Sequence, residues 1–306
     1  LCPLGAGALS TTSFPLDRAW IAAQLGFAAP LELAYDAVSS RDDALEAGAA
    51  MAVMMTLLSR LATDLQNWGS WEYGFVELAD RHSAVSSIMP QKKNPVALEH
   101  LKAAAAMVQG AHNAAMACTK NTAFADVNDA VTAVNEPVLD AALRSRRILA
   151  LFQEVMQGLS LNKDRMANAA REGFGTATEL ADVIVRETGL SFRMAHNIVA
   201  IVVRDALAEG RNAESISSAA LDEAALLLFG KPLHIAAEKL SAALDPAQNL
   251  VGRSLLGGPA PEAMAQLLAQ RRAKLAEDRH TIQSTEQRIA AARAECFNAG
   301  SRLVAG

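Results

Sequence analysis

Apolar residues recur along this chain at steps of three and four, and no stretch alternates apolar and polar positions at a step of two. The first long run carries Met51, Met54, Met55, Leu58, Leu61 and Leu65, the stripe of a packed helix. Its start is marked by Ser39-Ser40-Arg41-Asp42-Asp43, where Ser39/Asp42 and Ser40/Asp43 have capping-box spacing. A second long helix restarts at Asn94-Pro95, with Pro95 suited to the first helical position, and runs to about Lys120. A third is expected from about Asp129 to Gln157, kinked at Pro137. Before these helices, residues 1–38 read as a Gly-, Pro- and Ser-containing connection with short helical pieces.

Past Leu159 the pattern shortens. Helices are expected at 163–171, 176–188, 191–209 and 215–229, broken by Gly173, Gly175, Gly189 and Gly210. A charged helix from Pro261 to about Asn298 ends the series. The reading is an all-α protein: a long-helix bundle domain over 1–160, then a small helical domain over 161–306.

Composition agrees. Of 306 residues 51% are hydrophobic, 20% charged and only 5% aromatic, and the Ala- and Leu-rich content suits closely packed helices. A net charge of -5, with Lys and Arg scattered along helices, excludes a nucleic-acid footprint. Cys2, Cys118 and Cys296 are odd in number and far apart, without metal-ligand spacing, which points to a reduced, cytoplasmic protein. No run of apolar residues approaches the length a membrane span needs; 47–58, flanked by Glu46 and Arg60, reads as a buried bundle helix.

Residues 69–93 form a connection long enough to be functional. It leads into Ser86-Ser87-Ile88-Met89-Pro90-Gln91-Lys92-Lys93-Asn94-Pro95, followed by Glu99. Two hydroxyls, two ammonium groups and an amide at a helix start suit an anion, above all a carboxylate whose charge grows during reaction. A serine is a poor base unless its alkoxide is stabilised, and the residues alone do not nominate Ser86 over Ser87. The bland alternative is that the serines cap, the lysines are solvated and Glu99 lies on a wet helix face.

This run resembles the signature loop of the fumarase/aspartase superfamily, in the form carried by argininosuccinate lyases. The resemblance continues in 3–9, 13–18 and 36–42, in Gly173-Phe174-Gly175-Thr176-Ala177-Thr178-Glu179, in Ser191-Phe192-Arg193-Met194-Ala195-His196, and in Gly257-Gly258-Pro259. It implies a bundle of the fumarase/aspartase type and C–N bond cleavage in an N-substituted aspartate by β-elimination, releasing fumarate. By the same resemblance Ser86 abstracts the Cβ proton, and Lys92 and Asn94 hold the substrate carboxylate. Glu99 pairs with a catalytic histidine, and Ser87, Met89, Arg41, Asp126 and Asn135 are candidates for substrate binding. A homotetramer with active sites shared between subunits is implied, acting on a small dicarboxylate, with no cofactor and no metal.

Three departures qualify the resemblance. Val85 stands where the family usually has Gly, which narrows backbone freedom. The family's Ser-Arg-Asn and Thr-His-Leu-Gln segments do not occur, and none of His82, His100, His112, His196, His234 and His280 has the catalytic context. The expectation is therefore a chain whose front part lies elsewhere and which does not work alone. Finally, the family's Tyr, Gln and Lys that hold the arginine-bearing substrate have no counterparts in 123–137. One register places Asp126, Val131 and Val134 at those positions, the other Val127, Thr132 and Asn135. Asp126 and Asp129 either face another cationic amine or are favourable acids at a helix start. Two other readings stand beside the lyase: a catalytically inactive, crystallin-like structural homologue, and a superfamily lyase with a different leaving group.

Overall fold

The computed structural model describes residues 1–305, without the side chains of Asp129, Val131, Leu303 and Ala305. The sequence-level candidates Asp129 and Val131 thus lie, as side chains, outside the described residues. Two compact units are present, Leu1–Leu161 with Arg279–Gly306, and Asn162–Asp278. The sequence reading had grouped all of 161–306 in one domain.

The first unit begins with two short helices, α1 (Arg18–Gln24) and α2 (Ala34–Ser39), and the long α3 (Asp42–Trp68). Next come β1 (Val76–Glu77), a 3-10 turn (Asp80–His82), β2 (Ala84–Val85) and β3 (Lys93–Asn94). Then follow α4 (Val96–Thr119), the one-turn α5 (Asn128–Val131), α6 (Asn135–Gln157) and β4 (Ser160–Leu161). Helices α3, α4 and α6 pack on one another. One layer of their core is built on Ala62, Leu65, Leu98, Leu101, Phe152 and Val155. The next is Met55, Ala104, Ala105, Val108 and Ala141. Alanines at these contacts let the helix backbones approach closely. Leu98 is fully buried; Leu98→Ala is expected to destabilise the fold by about 2–5 kcal/mol, read as a lowered midpoint in urea unfolding.

The second unit holds α7 (Lys163–Glu172), α8 (Ala177–Thr188), α9 (Phe192–Ala208), α10 (Ser218–Phe229), α11 (Ala237–Leu244) and α12 (Pro246–Gly252). Its core gathers Leu180, Ile184, Ile198, Val202, Leu221 and Leu240. Helix starts follow cap chemistry: Ser191 and Ser217 accept from the N–H groups of Met194 and Ala220. Gly189 ends α8 at φ +71°, a conformation that costs other residues a Cβ clash. The last helix is α13 (Pro261–Ala305).

Several local expectations are corrected. Pro95 is the N-cap of α4 rather than its first residue. The capping box at 39–43 does not form: Ser39 Oγ donates to Tyr35 C=O, Ser40 Oγ accepts from the N–H of Asp42 rather than of Asp43, and the N-cap residue Arg41 makes no side-chain cap bond. The expected helix 129–157 is two helices, because 132–134 interrupt it. Pro137 sits in the first turn of α6, where no intrahelical N–H bond is missing, so it has no reason to kink the helix. Helices α11 and α12 and four two-residue strands were not foreseen. Leu61 faces outward, along with Val53 and Leu57. Helix α3 is, by length and composition, apolar enough to cross a membrane, contrary to the sequence reading, which weighed unbroken apolar runs. Its Met55, Ala62 and Leu65 are nonetheless buried against α4 and α6, which makes it a bundle helix.

Candidate active site

The signature loop is a hairpin. Antiparallel β2 and β3 pair Ala84 with Asn94 and Val85 with Lys93. Val85 therefore occupies extended backbone, which suits a β-branched residue. The next pair is closed by Ser86 N–H donating to Lys92 C=O at 3.4 Å. Beyond it, Lys92 N–H donates to Met89 C=O at 3.1 Å, a tight turn with Pro90 in its second position. Ser86 and Lys92 are thus brought together by main-chain bonding, and Asn94 follows two residues later in the same leg.

The environment of Ser86 supplies what sequence could not. Its Oγ accepts from the N–H groups of Ile88 at 3.2 Å and Met89 at 3.1 Å. This is a common serine turn, yet two fixed donors on one hydroxyl oxygen also favour its alkoxide. Ser87 is exposed, and its hydroxyl has no partner among the described residues. Ser86 and Asn94 are half-buried, while Met89, Lys92 and Glu99 are exposed. Helix α4 starts directly after Asn94 with no side-chain cap. The Leu98 and Glu99 N–H groups donate to Pro95 C=O, so the Val96 and Ala97 amides are the ones left without an intrahelical acceptor at the positive end of its dipole. Glu99 lies in that first turn.

The other candidates are not joined to this loop by any polar contact among the described residues. The Arg41 guanidinium donates to the carbonyls of Val38 and Ser40 at the end of α2. Asp126 is exposed before α5, and Asn135, also exposed, opens α6. His82 is buried; its Nε2 accepts from Arg81 Nε at 3.3 Å and its Nδ1 has no partner among the described residues. No group of three or more His, Cys, Asp or Glu among the described residues is placed to hold a metal ion.

Sequence reasoning missed Glu77 and Asp80. Lys93 Nζ lies 2.6 Å from Glu77 Oε1 and 2.6 Å from Asp80 Oδ1. The hydrogen bond to Asp80, then that to Glu77, pushes the Lys93 ammonium above its ordinary range. The Lys93 hydrogen bond and then its charge hold the Asp80 carboxyl below its ordinary range. The Asp80 contribution is complete above the usual carboxylate value of about 4 and is lost as pH falls through the depressed value. That of Lys93 is complete below about 10.4 and is lost as pH rises through the elevated one. The only signal for these partners was a pair of acids upstream of the two lysines.

A lyase family model matches residues 1–110, and a model of the argininosuccinate lyase C-terminal region matches 174–251. Argininosuccinate lyase 1 of Shouchella clausii is 38% identical over 290 residues, which is 95% of this chain and 58% of that protein. Argininosuccinate lyase of Pelotomaculum thermopropionicum is 40% identical over 275 residues, again 58% of its length. The chain thus spans less than two thirds of the curated relatives it matches. Among solved structures, a variant of EDDS lyase with bound fumarate superposes with a TM-score of 0.87 at 32% identity, over 99% of this chain and 60% of that one. A class II fumarase from Schistosoma mansoni, at 19% identity and a TM-score of 0.55, shares the fold. By these matches the chain is similar to the fumarase/aspartase superfamily, and within it to argininosuccinate lyases.

Proposed function

We propose that the full-length protein carrying this chain is a carbon–nitrogen lyase that releases fumarate from an N-substituted aspartate, argininosuccinate or a related compound, by β-elimination. The observation that carries this reading is the pair of main-chain N–H donors on Ser86 Oγ, which lowers the cost of an alkoxide base at the head of an anion-binding loop. Ser86 removes the Cβ proton. Lys92, Asn94 and the amides at the start of α4 hold the carboxylate as it gains charge, and the C–N bond then breaks to give fumarate and the free amine. Glu99 orients a histidine supplied from outside these 306 residues. The fumarate in the EDDS lyase structure supports fumarate as product.

The same reading makes the protein a homotetramer with sites completed by other subunits, in the cytoplasm. Exposed apolar side chains on the bundle support the assembly: Val53, Leu57 and Leu61 on α3, and Leu139 and Leu143 on α6. Three free cysteines fit a reducing compartment.

Because neither register of 123–137 supplies the family's Tyr, Gln or Lys, the leaving amine is expected to differ from, or be recognised otherwise than, that of argininosuccinate. The test is to incubate the full-length protein with argininosuccinate and a panel of N-substituted aspartates and to measure fumarate. Fumarate from some member of the panel is the expected result. None from any member, with wild type no better than Ser86→Ala, would sink the lyase reading.

A further inference from the structure

The two adjacent lysines of the loop live in different surroundings. Lys93 lies in β3, whereas Lys92 closes the turn that precedes it. Lys93 turns to the acids of the preceding segment, Glu77 at the end of β1 and Asp80 at the start of the 3-10 turn, 2.6 Å from each. Lys92 is exposed and has no ion-pair partner among the described residues. β1 is itself anchored, pairing with β4 through Val76–Leu161 and Glu77–Ser160.

We propose that Lys93 is a positioning residue: it ties the returning leg of the 86–92 loop to β1 and the 3-10 turn, and offsets two carboxylates that would otherwise repel a dicarboxylate substrate. Lys92 is left as the cation that meets substrate. The substrate half of this proposal rests on the lyase reading; the tie does not. Separate exposed ion pairs contribute little to stability. Here one ammonium bridges two acids on backbone segments that sheet pairing and a helical turn already hold, so its effect falls on where the loop sits. Its loss also leaves an additional uncompensated negative charge beside an anion site.

The experiment uses the full-length protein and two readouts, amide hydrogen exchange in 86–92 and steady-state kinetics of fumarate formation. Lys93→Met is expected to speed exchange at the Ser86 and Lys92 amides by about fivefold and to raise KM by about as much, with kcat changed less. Lys93→Arg is expected to restore both. Adding Glu77→Gln and Asp80→Asn to Lys93→Met is expected to recover KM without recovering slow exchange, because the repulsion is gone while the tie is still missing. Wild-type exchange and KM in Lys93→Met would overturn the proposal, as would a triple variant whose KM stays high. If wild type turns over no aspartate at all, the lyase reading falls, and the exchange rates alone still decide whether Lys93 ties the loop.

Discussion

Ser86→Ala in the full-length protein is expected to lower kcat for fumarate release by about 10³-fold while KM moves little. The reason is local. Alanine removes the oxygen that the Ile88 and Met89 amides both address, and with it the group proposed to take the Cβ proton. The turn itself should persist, because Ser86 N–H to Lys92 C=O and Lys92 N–H to Met89 C=O are main-chain bonds that alanine also makes. Ser87→Ala is the informative comparison. Ser87 is exposed and its hydroxyl is unpartnered among the described residues, so its loss should cost less than about tenfold. Equal losses for the two serines would mean that the loop needs hydroxyls for solvation or capping and that Ser86 has no special role.

The second large effect concerns assembly. Leu57→Glu in the full-length protein is expected to shift it from the proposed tetramer to smaller species by light scattering, with helical content by circular dichroism retained. Leu57 is 56% exposed on α3, between Val53 and Leu61 one helical turn to either side, so the bundle core does not need it. In an assembly built on that face, each copy would bury an unpaired carboxylate at a cost of about 3 kcal/mol or more. On the proposed shared-site reading, activity should fall with the tetramer. A Leu57→Glu protein that stays tetrameric would show that this face of α3 is not the interface.

The helical architecture was legible because it rests on periodicity. The stripe from Met51 to Leu65, the restart at Asn94-Pro95 and the glycine-punctuated helices after Leu159 each mark an element that the structure contains. Boundaries that depend on alternatives of similar cost were less legible. Pro137 reads as a kink within one long helix, and only the break at 132–134 makes it a first-turn residue. Leu61 reads as core by spacing, but α3 is apolar on more than one side, so spacing does not say which side the chain itself covers. At the site, residue types indicated an anion and, through family resemblance, Ser86. The two amide donors on Ser86 were not readable, because turn geometry sets which N–H groups converge. Nor was the partition of Lys92 from Lys93, since Glu77 and Asp80 reach Lys93 only through the fold of the intervening chain.

Ser86 is proposed to move the proton at Cβ during formation and cleavage of the C–N bond. The most direct measurement runs the reaction backwards. The full-length protein is given fumarate and the amine identified from the aspartate panel, in heavy water, and the product is read by mass spectrometry and proton NMR. Wild type is predicted to form the N-substituted aspartate with one deuterium at Cβ, and Ser86→Ala to form it about 10³-fold more slowly. Labelled product appearing at the same rate from both proteins, or no adduct from wild type, would contradict it.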